Sequence, residues 1–467
     1  MTTVTPLSQR APGVLMWLDG APIPNAGRYA LELEVEERAD AASTFRLSLD
    51  LTPIATERGT IDWDLLERGE FLASVDGPRI QLLSRVTFGF QMSPDPQVGE
   101  PFQAIVFDGY ITEIHPYFGE FGVADSRLEV SGIDASVLMH FETVTKTWSN
   151  VTDAEIAKEI FAKYGFATDD DSIETPTPER PLERGTLIQR CTDAEFLRLL
   201  ARRQGFETYV ELGAETISPG NHATAASTGH FHRARADLDD VQPPLEFFPR
   251  DTPSLISFDA RWNAMGPARL RGFRLDETTR LVERTDVTDP GYPRLGTVPR
   301  ANAIAARLSE IAFPAAETQS AEGSQQAEDL PEGAAAAPNV LESSDICSAL
   351  TPHDADEMTR ITTASFRDAD WFVIGEGIVR PERYPAIVRA RRPIALSGVG
   401  ALLNGVWYCQ VACHRWARKP DLEQGEESEQ VTRRYEVDVT LLRHGLGEAA
   451  QLGNGDEPPL ASAGESA

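Results

Sequence analysis

The 467-residue chain contains very little lysine, and its charge is strongly of one sign. Lysine occurs only as Lys146, Lys158, Lys163 and Lys419, so nearly all basic residues are arginines. Acidic residues exceed basic ones, and the formal charge is −30 at pH 7. Electrostatic binding to nucleic acid or to an anionic membrane needs clustered Lys and Arg, so this charge argues against both functions. A GC-rich genome or adaptation to high salt would each produce the bias, and in either case the excess acid favours solubility.

Cysteine and long apolar runs are also scarce. Four cysteines in a chain of this length do not make a disulfide framework, and they suit a reducing compartment. No eighteen apolar residues run together, so the sequence predicts no membrane span. The N-terminal residues 1–10 carry no basic patch, and the apolar stretch Val14 to Leu18 is too short for a signal peptide. We therefore expect synthesis and folding in the cytoplasm.

Several motifs that carry enzymatic chemistry are missing. The sequence contains no Gly-x-Ser-x-Gly elbow, no His-Glu-x-x-His and no phosphate-binding loop. Gly398, Gly400 and Gly405 do not have dinucleotide-binding spacing, and no helix follows them to hold a phosphate. These absences predict a protein that is not an enzyme and that has no cofactor.

The best candidate for a metal site is Cys409, Cys413 and His414. If this segment is a regular strand, the two cysteines point to one face and His414 to the other, so the three side chains cannot converge on one zinc ion. Cysteines in such a position are typical of a packed core. We predict no metal site here.

Carboxylate pairs are the remaining catalytic candidates. Asp108 with Asp134, or Glu113 with Glu129, would supply the two acids of a hydrolase, but isolated acidic residues are common in a chain with 73 carboxylates. The acidic loop from Thr168 to Arg184 lacks the spaced ligands and the closing Glu of a calcium loop, and it is interpreted as a solvated turn.

The region from Val14 to Asp134 has the alternating pattern of half-buried strands. Tyr29 to Glu36 and Phe45 to Leu51 place apolar residues at every second position, which puts one face on a core. Asp19-Gly20 predicts a hairpin turn, and Asn404-Gly405, in a second strand-rich region, is the strongest hairpin signal in the chain. Many short antiparallel strands favour a barrel or sandwich.

Between the two strand-rich regions one short phrase occurs twice. Thr152 with Glu155, and Thr192 with Glu195, each predict a helix that begins with a capping box, in which the Thr and Glu side chains bind free backbone N–H groups at the helix start. Gly165 and Gly205 are suited to the left-handed residue that ends each helix.

The predicted organisation is mainly β with an α insert. The predicted segments are a first β domain (1–145), a helical insert (146–235), the first part of a second β domain (236–313), a flexible Ala/Glu/Ser/Gly-rich linker (314–354), the second part of that domain (355–445) and an acidic tail (446–467).

The context of the second helix resembles a known family. Gln189 precedes the capping segment Thr192 to Glu195, followed by Phe196-Leu197, a second apolar pair and the Gly205-Phe206 exit. This order resembles phage late-control D proteins, contractile-phage baseplate hubs and the hub part of type VI secretion spikes. Cys191 and Thr192 stand where that family often has Asn and Glu or Ser.

The resemblance extends to both strand-rich regions. The segment Phe107 to Ile114, followed by Leu128 to Asp134, is similar to the family's strand pair with Gly-x-Ile and Gly-x-Asp. The run from Gly375 to Gly400, then Gly405 to His414, then Arg434 to Arg443, resembles the family's last strands. Together these segments cover most of Val14 to Arg443 outside the linker.

The resemblance implies two tail-tube-like antiparallel β-barrels per chain and assembly as a homotrimer. Six similar barrels would then match the hexameric inner tube, while the trimer matches the spike. The implied partners are the inner tube protein, a spike protein that we expect to be a separate chain, and other baseplate components, in a phage tail or in a secreted or cell-anchored injection particle. The alternative is a β-rich recognition, wall-binding or wall-degrading protein of the same particle, for which Trp148, Trp262 and Trp407 are candidate contact residues.

Overall fold

The computed structural model describes residues 13–24, 26–56, 58, 60–68, 79–96, 98–120, 122–175, 177, 187–212, 227–236, 241–247, 253–276, 278–304, 344–346, 352, 354–420 and 431–448. Over these residues the fold is mainly β, which confirms the predicted strand-rich class. No helix in this part of the chain has the length and apolar character needed to cross a bilayer.

Strands and helices alternate unevenly along the chain. The helices are α1 (Ala26–Tyr29), α2 (Trp63–Arg68), α3 (Asp153–Lys163), α4 (Asp193–Gln204) and α5 (Ala355–Asp370). The strands are β1 (Gly13–Leu18), β2 (Ala21–Pro22), β3 (Ala30–Arg38), β4 (Thr44–Asp50), β5 (Arg85–Met92), β6 (Phe102–Gly119), β7 (Gly122–Asp134), β8 (Thr143–Trp148), β9 (Leu187–Thr192), β10 (Glu207–Leu212), β11 (Ser227–His232), β12 (Gln242–Glu246), β13 (Leu255–Trp262), β14 (Arg269–Leu275), β15 (Val282–Val287), β16 (Gly296–Val298), β17 (Ser344–Ile346), β18 (Val373–Val379), β19 (Arg392–Ser397), β20 (Gly405–Pro420), β21 (Val431–Arg443) and β22 (Leu446–Glu448).

Thirteen strands from the two ends of the chain form one sheet. Its main order is β13-β18-β21-β20-β3-β4-β7-β6-β5-β1-β2, and β19 pairs with both β20 and β12. The first unit (β1 and β3 to β7) and the second unit (β12, β13 and β18 to β21) therefore meet where β3 pairs with β20. The N-terminal and C-terminal strand regions are thus joined by backbone hydrogen bonds.

The two units have the same strand order. Ranked by position in the chain, the six strands of each unit follow each other across the sheet as first, fourth, fifth, sixth, third and second. All neighbours are antiparallel except the first and fourth strands of the second unit, β12 and β19, which run parallel. Two comparable β units within one chain are therefore present, and the helical region separates them.

Irregularities of the strands are repeated as well. The second strand of each unit has a bulge one residue after its start, between Ala30 and Glu32 in β3 and between Leu255 and Ser257 in β13. In the fifth strand the bulge between Ile111 and Glu113 of β6 corresponds to the bulge between Cys409 and Val411 of β20, whereas a second bulge of β6, between Tyr117 and Gly119, has no counterpart in the register of β20 with β21.

A strained residue precedes the fourth strand in both units. Leu83 and Arg391 have φ of 63° and 66°, values that residues with a Cβ rarely adopt. The Leu83 N–H donates to the Ile111 carbonyl at 2.8 Å, and the Arg391 N–H donates to the Cys409 carbonyl at 2.7 Å. The acceptors flank the equivalent bulges, so the units agree in backbone detail as well as in topology.

Two main apolar cores follow from this arrangement. Inward-facing residues of both β units form one continuous core, which runs from Val14 to Leu446 in sequence. The helical region (β8 to β11 with α3 and α4) has a separate core around Phe161, Phe196 and Phe231. Helix α5 packs on β14 and β15, with Phe366 against Leu270 and Val287.

Several elements differ from the sequence prediction. Strand β12, which contains Pro243 and Pro244, was not predicted, and it lies at a sheet edge where proline is tolerated. Strand β11 lies inside the predicted helical insert 146–235, and β17 lies inside the predicted linker 314–354, where it pairs with β14. The remainder of that linker up to 343 and the tail beyond 448 fall outside the described residues. The sequence also suggests a strand at Phe71 to Val75, and this segment lies outside the described residues too.

Candidate assembly interface

Strand β20 holds the two units together because it is longer than either partner on one of its edges. Residues Gly405 to Cys409 pair with β19 of its own unit, and residues Val411 to Ala417 pair with β3 of the first unit. The bulge residue Gln410 separates the two stretches, and its carbonyl accepts a hydrogen bond from the Ala39 N–H at 2.9 Å. We call the β3–β20 pairing the internal junction.

The inner face of the internal junction is buried. Leu33 and Trp416 face each other across it, and each side chain is 1% exposed. His414 is fully buried opposite Val35, and its Nδ1 lies 2.8 Å from the Tyr435 hydroxyl. Burial, helped by the Arg389 charge, lowers the pKa of His414 to about 3, so the ring is neutral at physiological pH. This histidine therefore packs as a core residue.

The outer face of the junction is charged. Arg415 donates to Glu34 at 3.2 Å, and Arg38 pairs with Glu36 at 3.1 Å. Cys413 Sγ lies with these two carboxylates, all within 4.8 Å of one another, and burial raises the pKa of the thiol to about 12. Because arginines already neutralise both carboxylates, ion pairing accounts for this cluster.

The predicted geometry of the cysteines was wrong. Cys409 belongs to the inner core, whereas Cys413 lies on the outer face beside Glu36. The bulge at Gln410 adds one residue between them, and an extra residue reverses the facing of every side chain that follows. His414 consequently shares the inner side with Cys409.

An edge of β13 and part of an edge of β6 have no partner within the described residues. Strand β13 ends the sheet, since it pairs only with β18. On β6, the stretch Phe102 to Tyr110 pairs with β5, but from Thr112 to Gly119 the same edge has no pairing strand among the described residues. Each is the counterpart, in the other unit, of an edge that the internal junction covers.

Large aromatic side chains are exposed along these edges. Trp262 of β13 is 51% exposed, and Tyr117 and Phe118 of β6 are 40% and 44% exposed. Phe118 stacks edge-on against Trp63 of α2, whose side chain is also half exposed. Large exposed apolar patches often mark interaction sites, so these two edges are candidate interfaces.

The helical region presents the repeated phrase as two matched helices. In α3 the Thr152 hydroxyl accepts from the Glu155 N–H, and the Glu155 carboxylate accepts from the Thr152 N–H at 2.7 Å. Thr192 and Glu195 make the same pair of bonds at the start of α4. Both helices therefore begin with a capping box.

Both helices also end alike. Gly165 and Gly205 have φ of 75° and 67°, and the Phe that follows each glycine donates its N–H to the last turn, from Phe166 to Phe161 and from Phe206 to Ala201. These bonds form a Schellman C-cap. At Gly205 a Cβ would lie 2.9 Å from Ala364 Cα, so this glycine also lets α4 approach α5.

Each helix start is bound by the end of the other helix. The buried Asp193 carboxylate of α4 accepts from the Tyr164 hydroxyl at 2.8 Å and from Lys163 Nζ at 2.8 Å, both at the end of α3. The buried Asp153 carboxylate of α3 accepts from Gln204 Nε2 at 2.6 Å, at the end of α4. Reciprocal hydrogen bonds therefore connect the start of each helix to the end of the other.

Gln189 closes this network. Its side chain is fully buried, its Oε1 accepts from Trp148 Nε1 at 3.1 Å and its Nε2 donates to Asp193 at 2.6 Å. Burial opposes ionisation of Asp193, but hydrogen bonds from Lys163 and Gln189 outweigh it and lower its pKa.

Comparison with known proteins gives no match by sequence but several by structure. No protein-family model and no curated protein matches the sequence. Among solved structures, a 43 kDa tail protein of prophage MuSo2 from Shewanella oneidensis aligns at 12% identity with a TM-score of 0.52, over 93% of this chain and 99% of that one. A tail protein from Neisseria meningitidis aligns at 10% identity with a TM-score of 0.52, over 93% and 96% of the two chains.

The chain has the fold of phage tail proteins. The alignments span nearly the whole length on both sides, so they cover both β units and the helical region. A component of the Escherichia coli type VI secretion system aligns less well, with a TM-score of 0.46 at 10% identity over 90% of this chain and 76% of that one. The predicted resemblance to tail proteins is thus confirmed at the level of the fold.

Within this tail-protein fold the remaining predicted motif residues have structural positions. Phe196 and Leu197 are 1% exposed in the core of the helical region. Asn404 and Gly405 lie in the antiparallel β19–β20 hairpin, as the sequence signal predicted, and the connection is the loop 398–404. Asn404 Oδ1 accepts from the Val399 N–H at 3.0 Å, and Gly405 begins β20, so the pair closes the loop.

The candidate acids of the tail-protein fold are engaged in local bonds. Asp108 accepts from Arg85 at 2.9 Å and from the Thr87 hydroxyl at 2.7 Å. Asp134 accepts from the Ser43 and Ser136 N–H groups, at 2.6 Å and 3.0 Å, and Glu129 pairs with Arg127. Of the candidate contact tryptophans, Trp148 and Trp407 are buried and Trp262 is exposed.

Sequence reasoning missed the most informative part of the interface, which is the equivalence of the strand edges. In the aligned segments 107–119 and 405–417, only Tyr110 and Tyr408 are the same residue. Comparison of these two segments therefore gives no sequence signal, whereas the strand order and the hydrogen-bond register show the duplication.

Proposed function

We propose that this chain is the structural baseplate hub of a phage tail or contractile injection system, where it adapts the hexameric inner tube to the trimeric spike. The observation that carries the proposal is the repeated six-strand order, with matching bulges, in the two β units of one chain. Three copies of such a chain supply six comparable units, which is the number that a hexameric ring requires.

The proposed role is assembly without a chemical step. The stabilising contributions are burial of apolar side chains at interfaces and pairing of strand edges. The exposed aromatics of β6 and β13 provide apolar surface for burial, and the edges of the same two strands provide backbone groups for pairing. Engagement of Asp108, Asp134 and Glu129 in local hydrogen bonds and ion pairs is consistent with this role. The proposed partners are the inner tube protein, a spike protein and other baseplate components.

Isolation of tail particles tests the function. An affinity-tagged chain expressed in its source cell should co-purify with tube and spike proteins, and quantitative mass spectrometry should find three hub chains per particle. The purified chain alone should show a native mass of three times its 51.2 kDa. A monomer that binds cell walls, or that releases sugar or peptide from them, would instead support the recognition or wall-degrading alternative.

A further inference from the structure

The two capped helices α3 and α4 differ at one point of their otherwise matching starts. In α3 the N–H of Ala154, the second helical residue, donates to Thr177 Oγ1 at 2.9 Å. Ala194 is the equivalent residue of α4, because it follows its cap residue at the same distance in the sequence. Ala194 is only 4% exposed, and its N–H has no acceptor among the described residues.

An acceptor is needed at this place for a general reason. A helix leaves its first N–H groups without intrahelical partners, so side chains, water or ligands bind them. In α4 the Thr192 hydroxyl binds the Glu195 N–H at 3.3 Å, which leaves the Ala194 N–H. A backbone N–H that is buried without a partner costs free energy comparable to a lost hydrogen bond. In α3 the Thr177 hydroxyl removes this cost.

A cavity of about 20 Å³ adjoins the start of α4. Ala194 lines it from the helix, Ser136 lines it from the turn Ala135–His140 that follows β7, and Ala42 lines it from the loop before β4. The cavity therefore lies where the helical region meets the first β unit. A cavity of this size has room for about one water-sized group.

Ser136 supplies a second polar atom without a partner at the same cavity. The residue is 6% exposed, and its Oγ makes no hydrogen bond within the described part of the chain. Its N–H is engaged, since it donates to Asp134 Oδ1 at 3.0 Å. One buried hydroxyl from the first unit and one buried amide from the helical region thus line one small cavity.

We propose that this cavity binds one ordered water molecule, which accepts a hydrogen bond from the Ala194 N–H and also bonds to Ser136 Oγ. The water takes in α4 the place that the Thr177 hydroxyl has in α3. Thr208 of β10 and Arg198 of α4 line the same cavity, so further partners are available to a water that needs two to four.

The surrounding charges favour water over a small anion. The positive end of α4 and the Arg198 side chain would both attract an anion. Two buried carboxylates oppose it, because Asp134 bonds to the Ser136 N–H and Asp193 directly precedes Ala194. Water is neutral and both accepts and donates hydrogen bonds, so it suits a cavity that has an amide donor on one side and a hydroxyl on the other.

The water would connect two parts of the fold that share no strand pairing. Within the described residues, strands β8 to β11 pair only among themselves, so the helical region has no backbone ladder with the first unit. A water that bonds to Ser136 and to Ala194 ties the end of the first unit to the first turn of α4. Such a bridge is enthalpically close to a direct hydrogen bond.

Crystallography of the full chain tests the site. In crystals grown with sodium bromide in place of chloride, we expect one peak of water density within about 3 Å of both Ala194 N and Ser136 Oγ, with no anomalous signal at the bromine edge. An anomalous peak would identify an anion and overturn the assignment to water. A cavity without density at high resolution would overturn the site itself.

Thr177→Ala is the matched variant, because it removes the hydroxyl that binds the equivalent amide of α3. It should leave the Ala154 N–H facing a new cavity, and a water should replace Thr177 Oγ1 there. If this amide stays without a partner in the variant, the argument from the repeated helix start fails.

Oxygen-17 relaxation dispersion counts long-lived internal waters in solution and needs no crystals. Thr177→Ala should have one such water more than the unchanged chain. Ser136→Val should have one fewer, because its added methyl group fills the cavity and its hydroxyl is lost. Circular dichroism and thermal unfolding verify that both variants fold. Equal counts for the three folded proteins would refute the proposal.

Discussion

Glu207 and Glu211 lie on one face of β10 and experience opposite electrostatic environments. Burial raises the pKa of Glu207 to about 7, although the Tyr408 hydroxyl donates to it at 2.6 Å. Burial also opposes ionisation of Glu211, but Arg389, Arg391 and Arg392 outweigh it and lower its pKa to about 2. The same residue type, four positions apart, is therefore protonated at mildly acidic pH in one case and charged in the other.

The raised pKa of Glu207 predicts a pH-dependent stability. As the pH rises above the ordinary value of 4.5, the unfolded chain releases this proton first, so the folded state loses stability until about pH 7. Glu207→Gln should remove this loss, which is about 1–3 kcal/mol, and make the free energy of unfolding flatter between pH 5 and pH 7. Urea unfolding at several pH values measures it.

Glu211→Gln is the matched control for this experiment. The folded-state pKa of Glu211 lies below 4.5, so its contribution to stability is complete above that pH and is lost only as the pH falls toward 2. The substitution should lower stability by the same amount at pH 5 and at pH 7. If both variants changed the pH slope equally, the assigned difference between the two carboxyls would be wrong.

At the scale of elements, β8 with α3 and β9 with α4 form two copies of one strand-helix motif. Strands β8 and β9 pair with each other, each leads into a capped helix, and the last turn of each helix binds the first-turn Asp of the other. Gly205 additionally allows α4 to contact α5, where Arg203 forms an ion pair with Glu357. The helical region is thereby positioned against the second unit.

The N-caps of α3 and α4 should contribute equally to the free energy of unfolding. Thr152→Ala and Thr192→Ala each remove a hydroxyl that accepts a helix-start N–H, and each should lower the free energy of unfolding by about 1 kcal/mol. Thr359→Ala is the control, because Thr359 lies inside α5 and bonds only to the Ala355 carbonyl and the Thr285 hydroxyl. There the change to Ala should be neutral or slightly stabilising. A loss at Thr359 as large as at the caps would show that capping is not the cause.

At the scale of the whole molecule, Arg389 links three parts of the fold. Its guanidinium lies 2.8 Å from Glu37 of the first unit and 3.1 Å from Glu211 of the helical region, and it donates to the Ile105 carbonyl at 2.8 Å. Arg389 itself precedes β19 of the second unit. Both carboxylates are mostly buried, so removal of the arginine would leave charge without compensation.

Arg389→Met should therefore destabilise the whole chain by about 3–5 kcal/mol, because it breaks a buried ion-pair network. Arg392→Met is the control, since Arg392 is 40% exposed and lies 3.7 Å from Glu211, and it should cost less than about 1 kcal/mol. Denaturant unfolding followed by fluorescence and by circular dichroism measures both. Similar losses for the two variants would contradict a central role for Arg389.

Local chemistry in the sequence determined the elements that depend on near neighbours. The helix starts at Thr152 and Thr192 and the turn at Asp19-Gly20 each rest on contacts within a few residues, and the strand-rich class follows from alternation of side chains. The resemblance to tail proteins could also be recognised in the sequence, from the order of short motifs along the chain. Closure into barrels, the trimer and the domain limits remain proposals.

Only the tertiary structure decided which strands are neighbours. The junction of β3 with β20 joins residues far apart in sequence, and the side-chain pattern of neither strand indicates which strand it pairs with. The bulge at Gln410 reversed the predicted facing of Cys413, and only the structure gave the length of the loop, 398–404, in the hairpin predicted at Asn404-Gly405. Side-chain alternation encodes which face is buried, whereas register and bulges are set by backbone pairing with a distant strand, and that information appears only when the chain is folded.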